Sequence, residues 1–484
     1  MARLRSFVSR LYSREGFRGP VVTLLSGTAV TLAVSYLAVP ILTRLFTPAE
    51  FGTSDYFVTM VSVLITFASL RYEDAMMLPE EDDRARAVFW LALGLAVVTS
   101  AVLALATIWS VDIAAALRVG AVAPWLWMLA PAILLMRFSK LIELWLTRQK
   151  AFRTVTGGEV TNKIAMLSAR IGTGSLTALG AGGLIGGYVA GQVASSLYYA
   201  AAVIRSVRSP FRGLPSRRAL RFAASRYRRF PLFAMPSSLL NAVVARLPVL
   251  LLPVFFGLET VGLFGRAFVA LAVPLSLIGT AVSHVFFIHA AEAYRDGRLS
   301  ALTENVHARL VMIGAFPTVL LLVAGPELFA FVFGAGWREA GVYEQYLACW
   351  FFLGGIASPL TRLFDVLERQ RTELLISIAA SLTMTAAIVA GGRSGSILLT
   401  MALIAAAGSL VRLFHIGTML QMAAVPFARA AKPYLIYASI SVPLVIPVLL
   451  VRNAWPLWAT ALLGAALCTA YYSGAAWSML AGRD

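Results

Sequence analysis

Three arginines lie within long apolar stretches of the chain, where a charged side chain is unusual. Arg170 and Arg246 lie near the middle of their stretches with no acidic residue within one helical turn, and Arg266 lies near the start of another. A charge at the centre of a bilayer costs at least ~2.5 kcal/mol. The guanidinium group stays charged when partly buried and binds phosphate oxygens in pairs. We therefore predict that these arginines bind an anionic ligand. The alternative is pairing with an acid on another helix, or snorkelling to the membrane surface.

Two further residues extend this candidate site. Asn241 lies five positions before Arg246, on the same general face of a helix. Arg44 closes the first apolar stretch within the run Thr-Arg-Leu-Phe. We interpret Arg44 as a ligand contact, with a plain interfacial anchor as the alternative, and Arg266 as a contact on the side where a ligand is released.

A second group of basic residues lies at the opposite ends of the apolar stretches. Arg71 is followed by two acidic residues, so a local salt-bridged helix end competes with a role in binding. Arg362 is followed by Asp365, and Arg412 lies near His415. Arg71, Arg362 and Arg412 are candidates for the path by which a ligand enters from the cytoplasm.

Other kinds of site find little support in the composition. The two cysteines both lie in apolar runs, which excludes a disulfide framework and a cysteine-based metal site. The four histidines form no metal-ligand motif, and no glycine-rich phosphate loop follows a strand pattern. Few acids lie within the apolar stretches. We therefore predict no metal, no cofactor and no covalent catalysis.

The elements that must position these residues are membrane-spanning helices. Of the 484 residues, 59% are hydrophobic and only 13% are charged, with a mean hydropathy of +0.80. A soluble chain is about a quarter charged, and a spanning helix needs about 20 apolar residues. We predict an all-α polytopic membrane protein with fourteen spans. They lie at 21–45, 53–70, 88–110, 121–146, 159–179, 183–204, 232–256, 262–288, 309–333, 345–365, 373–391, 396–420, 433–451 and 455–479.

The formal net charge of +18 sets the orientation of these helices. With the N-terminus in the cytoplasm, and with basic residues near a span end counted with the adjoining side, 33 of the 41 basic residues fall on the cytoplasmic side and five fall outside. The other three, Arg170, Arg246 and Arg266, are assigned to the spans themselves. Cytoplasmic loops of membrane proteins carry such an excess of Lys and Arg. Both termini are therefore predicted to be cytoplasmic. Nucleic-acid binding, which the same charge suggests in a soluble protein, is not expected.

Five segments make up the predicted domain organisation. A weak similarity between residues 39–56 and 249–266, 210 positions apart, relates two six-helix bundles. The basic linker between them carries nine arginines with aromatic residues interleaved, which favours contact with anionic inner-leaflet lipid. The segments are an interfacial amphipathic helix (1–20), an N-terminal bundle (21–204), the linker (205–231), a C-terminal bundle (232–420) and an additional helix pair (433–479).

Several motifs resemble one family of membrane proteins, the Wzx-type polysaccharide and O-antigen repeat-unit flippases. That family belongs to the multidrug/oligosaccharidyl-lipid/polysaccharide (MOP) exporter superfamily. The resemblance covers most of the first twelve spans. The motifs are LFTPAEFG at 45–52, SLRYED at 69–74, MLPE at 77–80, LPVLLL at 247–252, PLSLIG at 274–279, FGAGW at 333–337 and LERQR at 367–371.

The resemblance implies the export of an undecaprenyl-diphosphate-linked oligosaccharide across the bacterial cytoplasmic (inner) membrane. It also implies a MATE-like arrangement, in which two six-helix bundles surround a cationic cavity and work by alternating access. Lipid II flippases are similar around Arg44, and they also carry an additional helix pair. Membrane lipids, a polysaccharide polymerase and chain-length proteins are the implied partners.

Three other functions stay open at the level of sequence. A drug/cation antiporter of the same superfamily needs carboxylates in the bundle core, where this chain offers arginines. A lipid II-type flippase shares the additional helix pair. A membrane enzyme such as a polymerase or ligase needs a large outer loop, and the longest predicted outer loops have only about a dozen residues.

Overall fold

The structure is a computed structural model that describes residues 18–204 and 209–481. Within these residues the chain is built of helices and connecting turns, without β-strands. The all-helical fold predicted from the sequence is thereby confirmed. The predicted amphipathic helix at 1–20 lies outside the described residues for all but its last three positions.

Contacts divide the chain into two compact units, Met1–Arg246 and Leu247–Asp484. The first unit contains eight complete helices and the first half of a ninth, whose second half belongs to the second unit. They are α1 (Arg18–Leu45), α2 (Pro48–Ala68), α3 (Asp82–Ala106), α4 (Ser110–Ala116), α5 (Leu129–Arg148), α6 (Phe152–Leu176), α7 (Ala181–Ile204), α8 (Arg217–Arg226) and α9 (Met235–Phe256).

The second unit continues with eight more helices. They are α10 (Leu258–Arg295), α11 (Leu299–Phe333), α12 (Arg338–Leu360), α13 (Arg362–Val366), α14 (Gln370–Arg393), α15 (Ile397–Met422), α16 (Phe427–Val451) and α17 (Leu457–Ala481). The buried core around α11 includes Phe316 and Leu320, which pack against residues of α16 and α17. Helices α16 and α17, which correspond to the predicted additional helix pair, therefore pack against α11 within the second unit.

Each of the fourteen predicted spans falls on one of the long helices α1–α3, α5–α7, α9–α12 and α14–α17. Among the described residues, nine helical segments are long and apolar enough to cross a membrane. The chain is therefore a multi-pass membrane protein, and the count of fourteen crossings stays a prediction. Helix α6 is not one of the nine, and it carries Arg153, Glu159, Lys163 and Arg170.

Glycines bring α6 and α7 into close contact in the first unit. A methyl group at Gly191 would lie 2.8 Å from the Asn162 carbonyl oxygen, and one at Gly187 would lie 2.5 Å from the Arg170 Cγ. Small residues let the backbones of membrane helices approach each other in this way. Charged side chains of α6 consequently lie directly against the backbone of α7.

The basic linker contains a short helix that packs on the first unit. Ser216 caps α8 by accepting a hydrogen bond from the Ala219 amide, and Ala223 is buried. The Tyr72 hydroxyl donates to the Ala224 carbonyl oxygen at 3.0 Å. The division between the two units lies after Arg246, within α9, so the basic segment is part of the first unit.

Candidate functional site

Arg170 lies on α6 with its side chain against α7. Its Nε donates a hydrogen bond to the Leu184 carbonyl oxygen at 3.0 Å, and its Cγ lies over Gly187. The missing side chain at Gly187 makes room for this approach. The guanidinium group is therefore held in place by the backbone of a neighbouring helix.

Tyr188 brings Arg170 and Arg246 together. Both guanidinium groups lie within electrostatic reach of the Tyr188 hydroxyl, which donates to the Met136 sulfur at 2.8 Å. Lys163 lies seven residues before Arg170 on α6, hence on the same face, and feels the charge of Arg170. We call Lys163, Arg170 and Arg246 the cationic cluster. All three belong to the first unit.

The cationic cluster brings three basic groups near one another. The charge of Arg170 acts on Lys163, and the charges of Arg170 and Arg246 act on Tyr188. Glu159 lies one turn before Lys163 on α6, and both residues line a cavity together with Glu143 of α5. Two guanidinium groups offer forked donors and the ammonium group of Lys163 adds a point charge. This arrangement can bind a group that carries two negative charges, such as a diphosphate.

Arg44 lies in the last turn of α1. It is exposed, and its Nη1 donates to the Pro40 carbonyl oxygen of its own helix at 2.9 Å. Leu45, the last residue of α1, and Phe46, which follows it, lie against Gly174 of α6, one turn beyond Arg170. The sharp turn that follows α1 is fixed by a capping box between Thr47 and Glu50.

The other two residues of the predicted site lie elsewhere. Asn241 is exposed on α9, five positions before Arg246. Arg266 lies half-buried near the start of α10, in the second unit. Arg266 is therefore not part of the cationic cluster.

Arg71 forms a local ion pair, which is the alternative that its sequence context favours. Its Nη2 lies 2.8 Å from an Asp74 oxygen, in the turn between α2 and α3. Burial raises the pKa of the Asp74 carboxyl, while the positive charge of Arg71 lowers it. The charge of Arg71 is thus largely balanced at this helix end.

Arg362 and Arg412 lie in the second unit. Arg362 pairs with Asp365 at 3.1 Å, and its Nε donates to the Ser283 hydroxyl at 3.1 Å. Arg412 is half-buried on α15, where its Nε lies near Gly354 of α12. Contacts within the second unit therefore hold the Arg362 side chain in place, as the ion pair with Asp74 holds the Arg71 side chain.

Sequence inspection missed a buried ion pair in the first unit. Arg137 on α5 pairs with Glu73 in the turn after α2, and Glu73 also accepts a hydrogen bond from the Ser69 hydroxyl. The Arg137 Nη2 donates to the Ile65 carbonyl oxygen at 2.5 Å. Sixty-four positions separate the two charges, so neither reveals the other in the sequence.

Sequence inspection also missed a fully buried acid, Glu344 on α12. Its predicted span begins at residue 345, whereas the helix begins at Arg338, so Glu344 lies a turn and a half inside the helix. It has 0% exposure, and neither carboxyl oxygen has a hydrogen-bond partner in the described part of the chain. The second unit therefore holds a buried carboxyl group in a helix. The sequence analysis, which predicts few acids within the apolar stretches, did not count it.

The structure is similar to solved structures over most of the chain. The structure is similar to a lipid II flippase MurJ in an inward closed conformation, with a TM-score of 0.71 and 11% identity. That match covers 95% of this chain and 100% of the other. An inward-facing multidrug resistance MATE family transporter of the MOP superfamily matches with a TM-score of 0.62 and 12% identity, over 80% of this chain and 94% of the other. The chain therefore shares its fold with these two proteins.

Comparison of the sequence with protein families identifies the family. A search of curated proteins gave no match. A family model described as "Polysaccharide biosynthesis protein" matches residues 41–341, which is more than half of the chain. The matched region includes the whole cationic cluster and all but the first two residues of the internal similarity. The resemblance seen in the sequence motifs is confirmed, and the chain belongs to the polysaccharide biosynthesis protein family.

Proposed function

We propose that this protein is a flippase that moves undecaprenyl-diphosphate-linked oligosaccharide units from the inner to the outer leaflet of the bacterial cytoplasmic membrane. A MOP-type fold in a polysaccharide biosynthesis family supports this function. Both termini lie in the cytoplasm in this proposal, and the substrate moves by alternating access. The protein carries out transport without covalent chemistry.

The cationic cluster is the observation that carries the proposal. The diphosphate is the most strongly charged part of the substrate and the part that a bilayer excludes most strongly. Lys163, Arg170 and Arg246 supply fixed positive charge in the first unit. Two of the three have forked donors that match phosphate oxygens. The polyprenyl tail needs no such site because it stays in the lipid.

The membrane potential can drive this transport. Moving two negative charges outward gains about 2 × 2.3 kcal/mol for each 100 mV when the cell interior is negative. A diphosphate therefore moves down its electrical gradient toward the outer leaflet. This driving force requires no further ion site.

Two related functions compete with this proposal. A drug/cation antiporter of the same superfamily requires acidic groups where its cationic substrate binds, whereas the cationic cluster is basic. A lipid II-type flippase also handles a polyprenyl diphosphate, so the cationic cluster fits it equally well. The match to the polysaccharide biosynthesis family favours an oligosaccharide repeat unit over lipid II.

Deletion of the gene tests the proposal. We expect lipid-linked oligosaccharide to accumulate in the inner leaflet of the deletion strain, with surface polysaccharide lost and peptidoglycan synthesis unchanged. Accumulation of lipid II instead identifies the lipid II-type function. Accumulation of neither lipid, together with greater sensitivity to cationic drugs, supports the antiporter and refutes the proposal.

A further inference from the structure

Helix α11 is interrupted by proline at two places. Pro317 and Pro326 lie inside it, and Ala324, beside the second proline, has a non-helical backbone conformation. Proline has no N–H group, so the carbonyl oxygen four residues earlier loses its helical donor. These two oxygens belong to Ile313 and Leu322. In a membrane helix, carbonyl groups freed in this way need donors from elsewhere in the protein.

The additional helix pair, α16 and α17, supplies a donor at the first proline. The Tyr472 hydroxyl of α17 donates to the Ile313 carbonyl oxygen at 2.7 Å. The adjacent Tyr471 hydroxyl donates to the Met312 carbonyl oxygen, also at 2.7 Å. The Tyr471 ring stacks on Phe316 of α11, with the ring centroids 5.2 Å apart. The two tyrosines therefore hold α11 by its backbone immediately before its first proline.

Side-chain donors also serve the second interruption. The Gln345 carboxamide of α12 donates to the Leu322 carbonyl oxygen at 2.7 Å, in place of the amide that Pro326 lacks. Arg452, at the end of α16, donates from its Nη1 to the next carbonyl oxygen, that of Val323. A charged donor makes a stronger hydrogen bond than a neutral one. The additional helix pair thus binds the backbone of α11 at both interruptions.

Apolar packing joins the same helices between these two sets of hydrogen bonds. Val445 and Val448 of α16 lie in one buried cluster with Leu320 and Ala324 of α11. Ala324, the non-helical residue, has 0% exposure. All of these contacts lie within the second unit. The stretch of α11 that contains both prolines is therefore held by packing as well as by hydrogen bonds.

We propose that the additional helix pair acts as a brace, which fixes the bend of α11 by donating hydrogen bonds to carbonyl oxygens at its two interruptions. A proline-containing helix can adopt more than one bend, and donors that fit one bend favour it over the others. Arg452, Tyr471 and Tyr472 are positioning residues, since they act through α11. This role goes beyond the flippase function and is independent of which lipid the protein transports.

A double-mutant cycle tests the pairing of Tyr472 with the carbonyl group that Pro317 frees. Tyr472→Phe removes one hydroxyl and keeps the ring, whereas Pro317→Ala returns a backbone amide to the Ile313 carbonyl oxygen. We expect Tyr472→Phe to lower the midpoint of thermal unfolding by about 1–3 °C in the wild-type background. In the Pro317→Ala background the loss should be clearly smaller, because the carbonyl oxygen then has another donor.

Tyr434→Phe is the matched control for loss of a phenolic hydroxyl. The Tyr434 hydroxyl of α16 lies 3.1 Å from the His307 Nε2, so its partner is a side chain of α11. Loss of this hydroxyl should cost the same with and without Pro317→Ala. If the loss from Tyr472→Phe is also the same in both backgrounds, the Tyr472 hydroxyl does not replace the missing amide and the proposal is wrong.

The distance between two spin labels measures the bend of α11 itself. Asn305 and Val332 are exposed positions on either side of both prolines, and a straight helix would place their Cα atoms about 40 Å apart. The labels are attached to cysteines at these positions in the full-length protein in nanodiscs, on a background lacking Cys349 and Cys468. We expect a narrow distance distribution in the wild type and a broader one in Arg452→Leu. Arg452→Lys, which keeps a charged donor, should restore the narrow distribution.

Arg393→Leu, at the exposed end of α14, is the matched control for loss of an arginine at a helix end and should leave the distribution unchanged. If Arg452→Leu does not fold, Arg452→Gln keeps a neutral donor and should give an intermediate width. A distribution in the Arg452 variants as narrow as that of the wild type, at the same mean distance, would show that α11 keeps its bend without the brace and would overturn the proposal.

Discussion

Single charged residues inside apolar segments pointed to the candidate site. Arg170 and Arg246 are conspicuous in the sequence because a membrane helix rarely carries an isolated charge. Their proximity to Tyr188 is not visible there, since it depends on how α6, α7 and α9 pack. Lys163 lies near the start of the predicted span 159–179, where the sequence alone gives it a role in topology, and only the structure joins it to Arg170.

The buried pair of Glu73 and Arg137 gives a prediction about stability at the same scale. The two side chains are 2% and 6% exposed, so removal of one charge leaves the other buried without its partner. We expect Glu73→Gln to lower the free energy of unfolding by about 3–5 kcal/mol. Thermal unfolding of the purified protein measures the change.

The neighbouring pair of Arg71 and Asp74 provides the control, because each of its side chains is about one-third exposed. Asp74→Asn should cost about 0–1 kcal/mol. Equal losses in Glu73→Gln and Asp74→Asn would show that burial of the first pair contributes nothing to stability.

Helices were the elements that the sequence predicted best. Apolar runs of about 20 residues locate membrane helices because the backbone must satisfy its own hydrogen bonds in lipid. Helix α8 was not predicted from the sequence, because it has only ten residues and four of them are arginines. Its apolar stripe consists of small alanines, which signal burial only once α3 is seen to pack against them.

Close glycine packing between α11 and α12 predicts a specific sensitivity to added volume. A methyl group at Gly325 would lie 2.7 Å from the Gly341 carbonyl oxygen, and one at Gly341 would overlap the backbone at Gly325. Two backbones cannot yield as a flexible side chain does. We expect Gly341→Ala to lower the free energy of unfolding by about 1–3 kcal/mol, measured by thermal unfolding.

Gly417 on α15 is the matched control, since an added methyl group there meets no atom within 4 Å. Gly417→Ala should leave stability unchanged or raise it slightly, because alanine favours a helix. If Gly341→Ala is as stable as Gly417→Ala, the close contact between α11 and α12 is not present in the folded protein.

At the scale of the whole molecule, the sequence predicted a polytopic membrane protein and its family from composition and ordered motifs. The predicted domain organisation, with a basic linker at 205–231 between two bundles, stays a prediction. The contacts divide the chain after Arg246, within α9. Charge composition reports which side of the membrane a segment faces, whereas unit boundaries depend on packing.

The predicted topology can be tested with single cysteines on a background lacking Cys349 and Cys468. Gln370 and Ser394 are exposed at the two ends of α14, on opposite sides of the membrane in the fourteen-span topology. A membrane-impermeant thiol reagent added to intact cells should label Ser394→Cys but not Gln370→Cys. Labelling of both positions, or of Gln370→Cys alone, would contradict that topology.

The central claim, that the cationic cluster carries the diphosphate, is tested most directly at Arg246. The measurement is polysaccharide export in the deletion strain complemented with wild type, Arg246→Ala or Arg246→Lys, at matched protein levels in the membrane. Loss of a charged hydrogen-bond donor costs about 1.5–3 kcal/mol, so we predict that Arg246→Ala lowers export about ten- to a hundredfold. Arg246→Lys should give an intermediate level because it keeps the charge and loses the forked geometry. Export by Arg246→Ala at the wild-type level would contradict the account.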